Sequence, residues 1–109
     1  VNGNAVKSTS AKPLFKILQT NSISVTINAN AYAAITANDI YNNIVGGMPN
    51  GYKLVAIHRF YQTDDSCYLL GYDLNATGSS AFTYIKNPTT TAKTRNVLFY
   101  FLAINSDYI

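Results

Sequence analysis

The stretch from Arg95 to Asn105 reads RNVLFYFLAIN and decides the fold, because it alternates like a β-strand but has no polar face. Side chains alternate across a strand, so a strand with one face toward water should alternate apolar and polar residues. Here both sets are apolar: Val97, Phe99, Phe101 and Ala103 on one side, and Leu98, Tyr100, Leu102 and Ile104 on the other. The sequence therefore raises the question of what covers the second face in a chain of 109 residues.

Other segments carry the period-two pattern and the turn signals that are typical of strands. In the clearest case, Ile23, Val25 and Ile27 alternate with serine, threonine and asparagine. This strand continues or turns into residues 31–36, and further strands are predicted at residues 14–19, 52–61, 67–74 and 81–87. Short strands at this spacing, with turn residues between them, indicate a sandwich or a barrel. We predict an all-β fold, an antiparallel β-sandwich of jelly-roll type with six to eight strands.

At most one short helix is predicted within this fold. Asn38 or Asp39 could cap a helix that extends to Val45 and ends at Gly46 and Gly47. At about two turns such a helix could not be stable alone, so it must pack against the sheets.

Length and charge limit the classes of function. A chain of 109 residues is one domain, which we divide into an N-terminal leader or linker, residues 1–13, and a head domain, residues 14–109. The chain starts without Met, which indicates a fragment of a longer protein.

The net charge of +3 is spread thinly along the chain, whereas nucleic-acid-binding proteins cluster Lys and Arg, so we expect no nucleic-acid partner. No run of 18 apolar residues exists, so we expect no membrane insertion.

The residue types that catalysis requires are few. His58 is the only histidine, and on a regular strand it would share a face with Leu54 and Phe60, which favours a packed histidine over a catalytic base. One histidine and one cysteine cannot form a metal cluster, and Cys67 lies in an apolar run that is typical of a buried thiol. We therefore expect no enzyme activity, no catalytic residues, no metal site and no cofactor.

Several loosely spaced motifs are similar to those of one group of proteins. They are the leader VNGNAVKS, the segment from Asn30 to Tyr32, Gly51-Tyr52, Val55 to Ile57, Asn87 to Thr94, and Val97 to Ile104. With these elements the chain resembles the C-terminal head domains of tail-fibre and baseplate proteins from phages and prophages of Gram-positive and gut bacteria. The similarity extends over about residues 2 to 104.

The resemblance implies a β-sandwich head at the tip of a trimeric fibre. It also implies a homotrimer that binds a host cell-surface glycan or protein, and an extracellular location on a virion tail or a prophage-encoded particle. An alternative function is a structural trimerisation or capping module of the fibre with no ligand of its own.

A candidate ligand site is predicted at or near the ends of neighbouring strands. It comprises Tyr61, Asp64, Asp65, Tyr72 and Asn75. Tyrosine rings can stack on sugars, while aspartate and asparagine side chains form hydrogen bonds with hydroxyl groups. The alternative is that the tyrosines pack within the sheet and the two aspartates shape a turn.

The closing strand also predicts a contact between copies of the chain. In a sandwich it buries one apolar face in the core, and the other face must meet water or a partner. An exposed apolar patch usually marks an interface, so we assign an oligomer interface to Leu98, Tyr100, Leu102 and Ile104, with the other face, Val97, Phe99 and Phe101, as the alternative. The alternative is a cover from within the chain, formed by residues 14–18 or by the helix near residues 40–45.

Overall fold

The computed structural model of the chain describes residues 12–64 and 66–108, which form two antiparallel sheets and one α-helix. The elements in order are β1 (Phe15–Gln19), β2 (Ile23–Ile27), β3 (Tyr32–Thr36), α1 (Ala37–Tyr41), β4 (Tyr52–Gln62), β5 (Tyr68–Tyr72), β6 (Ala81–Lys86) and β7 (Lys93–Asn105), followed by a 3-10 turn (Ser106–Tyr108). The predicted all-β sandwich with one short helix is confirmed, and each predicted strand is present to within a few residues at its ends.

The closing strand β7 is the centre of a four-stranded sheet. Along one edge, β2 pairs with residues 93–97 of β7 and β1 pairs with residues 100–104, while β4 pairs along the other edge over residues 97–105. Thr20 bridges the break between β1 and β2. Its hydroxyl oxygen accepts a hydrogen bond from the Phe99 N–H at 3.0 Å, and its own N–H donates to the Phe99 carbonyl at 2.9 Å. The row of backbone hydrogen bonds along β7 therefore continues past the break.

The second sheet has three strands, in the order β3–β6–β5. Two irregularities shape it. The pairing of β3 with β6 skips Phe82, so that Phe82 and its neighbour Thr83 are both buried. The pairing of β5 with β6 has a bulge at Leu70 and Gly71, where Gly71 has φ +54° and the Thr83 hydroxyl donates to its carbonyl oxygen. Because a left-handed φ favours glycine, Gly71 allows β5 to bend at this point.

The core lies between the two sheets. Val97, Phe99, Phe101 and Ala103 of β7 are all 0% exposed, so this face of the closing strand is the inner one. Phe101 stacks on Phe99 and meets Phe82 of the second sheet edge-on, with 5.6 Å between ring centroids in each pair. Ile35 and Ile85 complete the contact from the three-stranded sheet.

The helix begins earlier than the sequence indicated. Its N-cap is Thr36, whose hydroxyl accepts from the Asp39 N–H at 3.1 Å, while the Asp39 carboxylate accepts from the Thr36 N–H at 2.9 Å. This reciprocal pair is a capping box, so Asp39 acts from the third helical position and not as the cap itself. The helix ends at Tyr41, and Ile40 is fully buried in the core between the sheets.

The prediction of a packed histidine is wrong. The pairing of β4 with β7 shifts twice, between Leu54 and Ala56 and between Ile57 and Arg59. The second shift leaves His58 as the extra residue of a bulge, and its side chain is exposed. The regular alternation that would have placed it beside Phe60 does not survive the bulge. Cys67, in contrast, is a buried free thiol as expected.

The described residues include no helix with the length and apolar character needed to cross a membrane.

Candidate functional site

The outer side of the four-stranded sheet carries a row of apolar side chains, with Gln19, Lys53 and Arg59 beside it in the register. By strand register, Phe15 lies beside Ile104 and Ile17 lies beside Leu102. We define the outer β7 face as these four side chains together with Leu98 and Tyr100. Phe15 and Ile17 are each 51% exposed, and the members from β7 are half-buried by their neighbours within the sheet.

Neither of the two covers expected from within the chain lies over this face. Residues 14–18 contribute β1, which pairs with β7 edge to edge and so extends the sheet. The helix lies on the opposite side, since Ile40 belongs to the core cluster. Tyr61 of β4 adds to the surface, because its ring packs edge-on against Tyr100 with 5.9 Å between centroids.

The outer side of the three-stranded sheet carries a second surface, which is aromatic. In the register, Tyr32 and Tyr68 both lie opposite Lys86, and Ala34 lies opposite Tyr84, so these side chains share one side of the sheet. We define the tyrosine face as Tyr32, Tyr68, Leu70 and Tyr84. All four are exposed, from 39% for Leu70 to 60% for Tyr32. The inner side of the same strands carries Ile35 and Ile85, which are 0% exposed.

Two adjoining hollows lie on this sheet. The larger has a volume of about 350 Å³ and is lined by Tyr32, Leu70 and Tyr84. The smaller has a volume of about 160 Å³, and its lining includes Leu70 and Tyr84 again, together with Tyr72 and Asp73. The larger hollow is shallow and open to solvent.

Polar groups stand at both ends of the tyrosine face. The Lys86 Nζ lies 4.4 Å from the centroid of the Tyr32 ring and donates to the Asn30 carbonyl at 2.8 Å. At the other end, the Asp73 Oδ1 accepts from the Asn75 N–H at 2.9 Å. The surface thus combines exposed rings, tyrosine hydroxyls, a fixed ammonium group and a carboxylate.

The structure separates the ligand residues that the sequence predicted into two groups. Tyr61 and Asp64 lie at the end of β4, in the four-stranded sheet, while Tyr72 and Asn75 lie at the end of β5, in the three-stranded sheet. Asp65 lies outside the described residues. Tyr72 lines the smaller hollow and stacks on Phe82 with 6.2 Å between centroids. Their role in ligand binding stays a prediction.

Asp64 has a structural role, which corresponds to the alternative that the sequence left open. Its carboxylate forms an ion pair with Arg95 at 2.8 Å and accepts from the Ser66 N–H at 2.8 Å. The Arg95 guanidinium also donates to the Ser66 hydroxyl and to the Thr94 carbonyl. Hydrogen bonds from the Ser66 side chain and backbone, with a smaller contribution from Arg95, hold the pKa of Asp64 below its usual value.

We expect Asp64→Asn to lower stability in a pH-dependent way. A depressed carboxyl pKa contributes stability above the unfolded pKa, about 3.9, and that contribution is lost as the pH falls through the folded pKa. The difference between the unmodified chain and the variant, measured by urea unfolding, should therefore be largest near neutral pH and narrow below about pH 4. A difference that stays constant with pH would show that the charge is not involved.

Residues that sequence reasoning missed are Tyr32, Tyr68, Leu70 and Tyr84. These four side chains form the tyrosine face.

Within the ranges 12–64 and 66–108, no group of three or more His, Cys, Asp or Glu side chains could hold a metal ion. Comparison with known proteins gave no match to a family model, to a curated protein or to a solved structure.

Proposed function

We propose that the chain is a non-catalytic head domain of a phage tail fibre that binds a host cell-surface receptor as a homotrimer. The observation that carries this proposal is the outer β7 face. Six apolar side chains lie side by side there, and Phe15 and Ile17 are half exposed. Contiguous apolar patches of this kind usually mark interfaces, and symmetric association of copies is the commonest way to cover them.

The threefold symmetry comes from the resemblance to fibre heads, since a fibre tip repeats each surface three times. A trimer that uses the outer β7 face leaves the opposite sheet available to a receptor. Three linked copies of a weak site bind a cell surface much more tightly than one copy, because the later contacts form at high effective concentration.

The positions of the groups with catalytic potential support a binding role. His58 is exposed on a bulge of β4, and Asp64 is held by Arg95 and Ser66 at the end of the same strand. Asp73 lies beyond β5 in the other sheet, where it holds the Asn75 backbone. These groups thus have separate structural surroundings and do not converge on one cleft.

Two measurements on the 109-residue chain test this proposal. Sedimentation at micromolar concentration should give the mass of a trimer, and a fluorescently labelled chain should stain some strains in a panel of Gram-positive and gut bacteria. A trimer that stains no strain would support the alternative, a structural trimerisation or capping module. A monomer that stains no strain would contradict both functions.

A further inference from the structure

We propose that the tyrosine face is the receptor site and that its ligand is a neutral oligosaccharide, bound with one sugar ring in the larger hollow and the next toward the smaller one. This inference rests on the proposed receptor-binding function and names its site and its ligand class.

The exposure of the tyrosines provides the first step. Tyr32 and Tyr84 are 60% and 46% exposed, although the same strands bury Ile35 and Ile85 completely. An exposed tyrosine offers a rigid apolar ring for contact and a hydroxyl that both donates and accepts hydrogen bonds. Tyrosine gives this contact area at low entropic cost, since few side-chain torsions are fixed on binding.

The shape of the site provides the second step. The two hollows share Leu70 and Tyr84, so they lie side by side on the sheet. The Gly71 bulge places Tyr72 beside the smaller hollow, where the ring is fixed against Phe82. An extended chain of rings therefore fits the two hollows better than a single compact molecule does.

The charges provide the third step, because they distinguish a sugar from other ligands with rings. Lys86 stands beside Tyr32 at one end, and Asp73 lines the smaller hollow at the other. A purely anionic ligand would meet Asp73, and a purely cationic ligand would meet Lys86. Neutral sugar hydroxyls can accept from an ammonium group and donate to a carboxylate, so a neutral oligosaccharide satisfies both ends.

The test is an NMR titration of the isotopically labelled chain with maltotriose, cellotriose, lactose and triacetylchitotriose, and with trigalacturonate as an anionic comparison. At least one neutral probe should produce saturable shifts at Tyr32, Leu70 and Tyr84, and trigalacturonate should bind more weakly. Tyr84→Ala should weaken binding about tenfold, since it removes a ring from the centre of the site.

Two variants serve as controls. Tyr84→Phe keeps the ring and should retain most of the affinity. Retained affinity would also show that the sheet of this variant is intact. Tyr108→Ala removes an exposed tyrosine from the 3-10 turn, and binding should not change. Equal losses from Tyr84→Ala and Tyr108→Ala would overturn the assignment of the site.

The remaining outcomes separate this inference from the proposed function. If no neutral probe binds while the chain stains bacteria, the oligosaccharide site is wrong and the receptor-binding function stands. If a neutral probe binds at the tyrosine face but no strain is stained, the receptor-binding function fails. If Tyr84→Ala reduces the mass in sedimentation, the tyrosine face contacts another copy of the chain, and the inference is overturned.

Discussion

Leu102→Asp should convert the proposed trimer into monomers or aggregates. Leu102 lies in the middle of the outer β7 face, beside Ile17 on one neighbouring strand and Ala56 on the other. In a trimer that buries this face, the new carboxylate would be unpaired and removed from water, at a cost of several kcal/mol. We expect the association constant to fall by about a thousandfold or more, since each 1.4 kcal/mol corresponds to roughly a factor of ten. Sedimentation measures the change directly.

A matched control places the same charge elsewhere. Thr90→Asp adds a carboxylate to an exposed loop between β6 and β7, and the mass in sedimentation should not change. Far-ultraviolet circular dichroism of both variants shows whether the sheets are retained. If the unmodified chain sediments as a monomer at micromolar concentration, the interface prediction for Leu98, Tyr100, Leu102 and Ile104 is wrong.

Phe101→Ala should have the largest effect on folding. Phe101 is fully buried, stacks on Phe99 and meets Phe82 of the opposite sheet. Removing a buried ring costs about 3–5 kcal/mol in transfer and cavity terms, which is a large part of a typical stability of about 5–15 kcal/mol. Urea unfolding should show the midpoint moving to much lower concentration.

The comparison for this variant is Phe101→Leu, which keeps part of the apolar volume. It should lose clearly less stability than the alanine variant. The difference in unfolding free energy between the two variants should be about 1–2 kcal/mol. Equal losses from both substitutions would mean that the ring contact across the two sheets matters more than the volume it fills.

The strands could be predicted because their signal is local. Ile23, Val25 and Ile27 alternate with polar residues, and the glycine, proline and asparagine clusters mark where the chain turns. The same local signal failed at His58, because a bulge inserts a residue without a marker in the sequence and shifts the alternation that follows. The predicted helix cap lies two or three residues too late, because Thr36, Asn38 and Asp39 are all residues that favour a cap.

The order of the strands in each sheet could not be predicted from local patterns. The sequence placed Tyr61 and Tyr72 near each other, since β4 and β5 are consecutive, but the structure assigns these strands to different sheets. The tyrosine face did have a weak signal, because Tyr32 alternates with Ala33 and Ile35, and Tyr84 alternates with Ile85. Its assembly depends on β3 and β5 both pairing with β6, and that pairing links residues far apart in the sequence.

The central position of β7 has a consequence for how the chain folds during synthesis. Within the described residues, β1, β2 and β4 each pair with β7 and with no other strand, and the contact between Thr20 and Phe99 joins positions 79 residues apart. All three strands leave the ribosome before their common partner exists. The four-stranded sheet must therefore form after translation has reached β7, and until then the apolar sides of the earlier strands remain unpaired. Long-range pairing of this kind is slow and prone to aggregation, so the folding of this sheet depends on β7 more than on any other described strand.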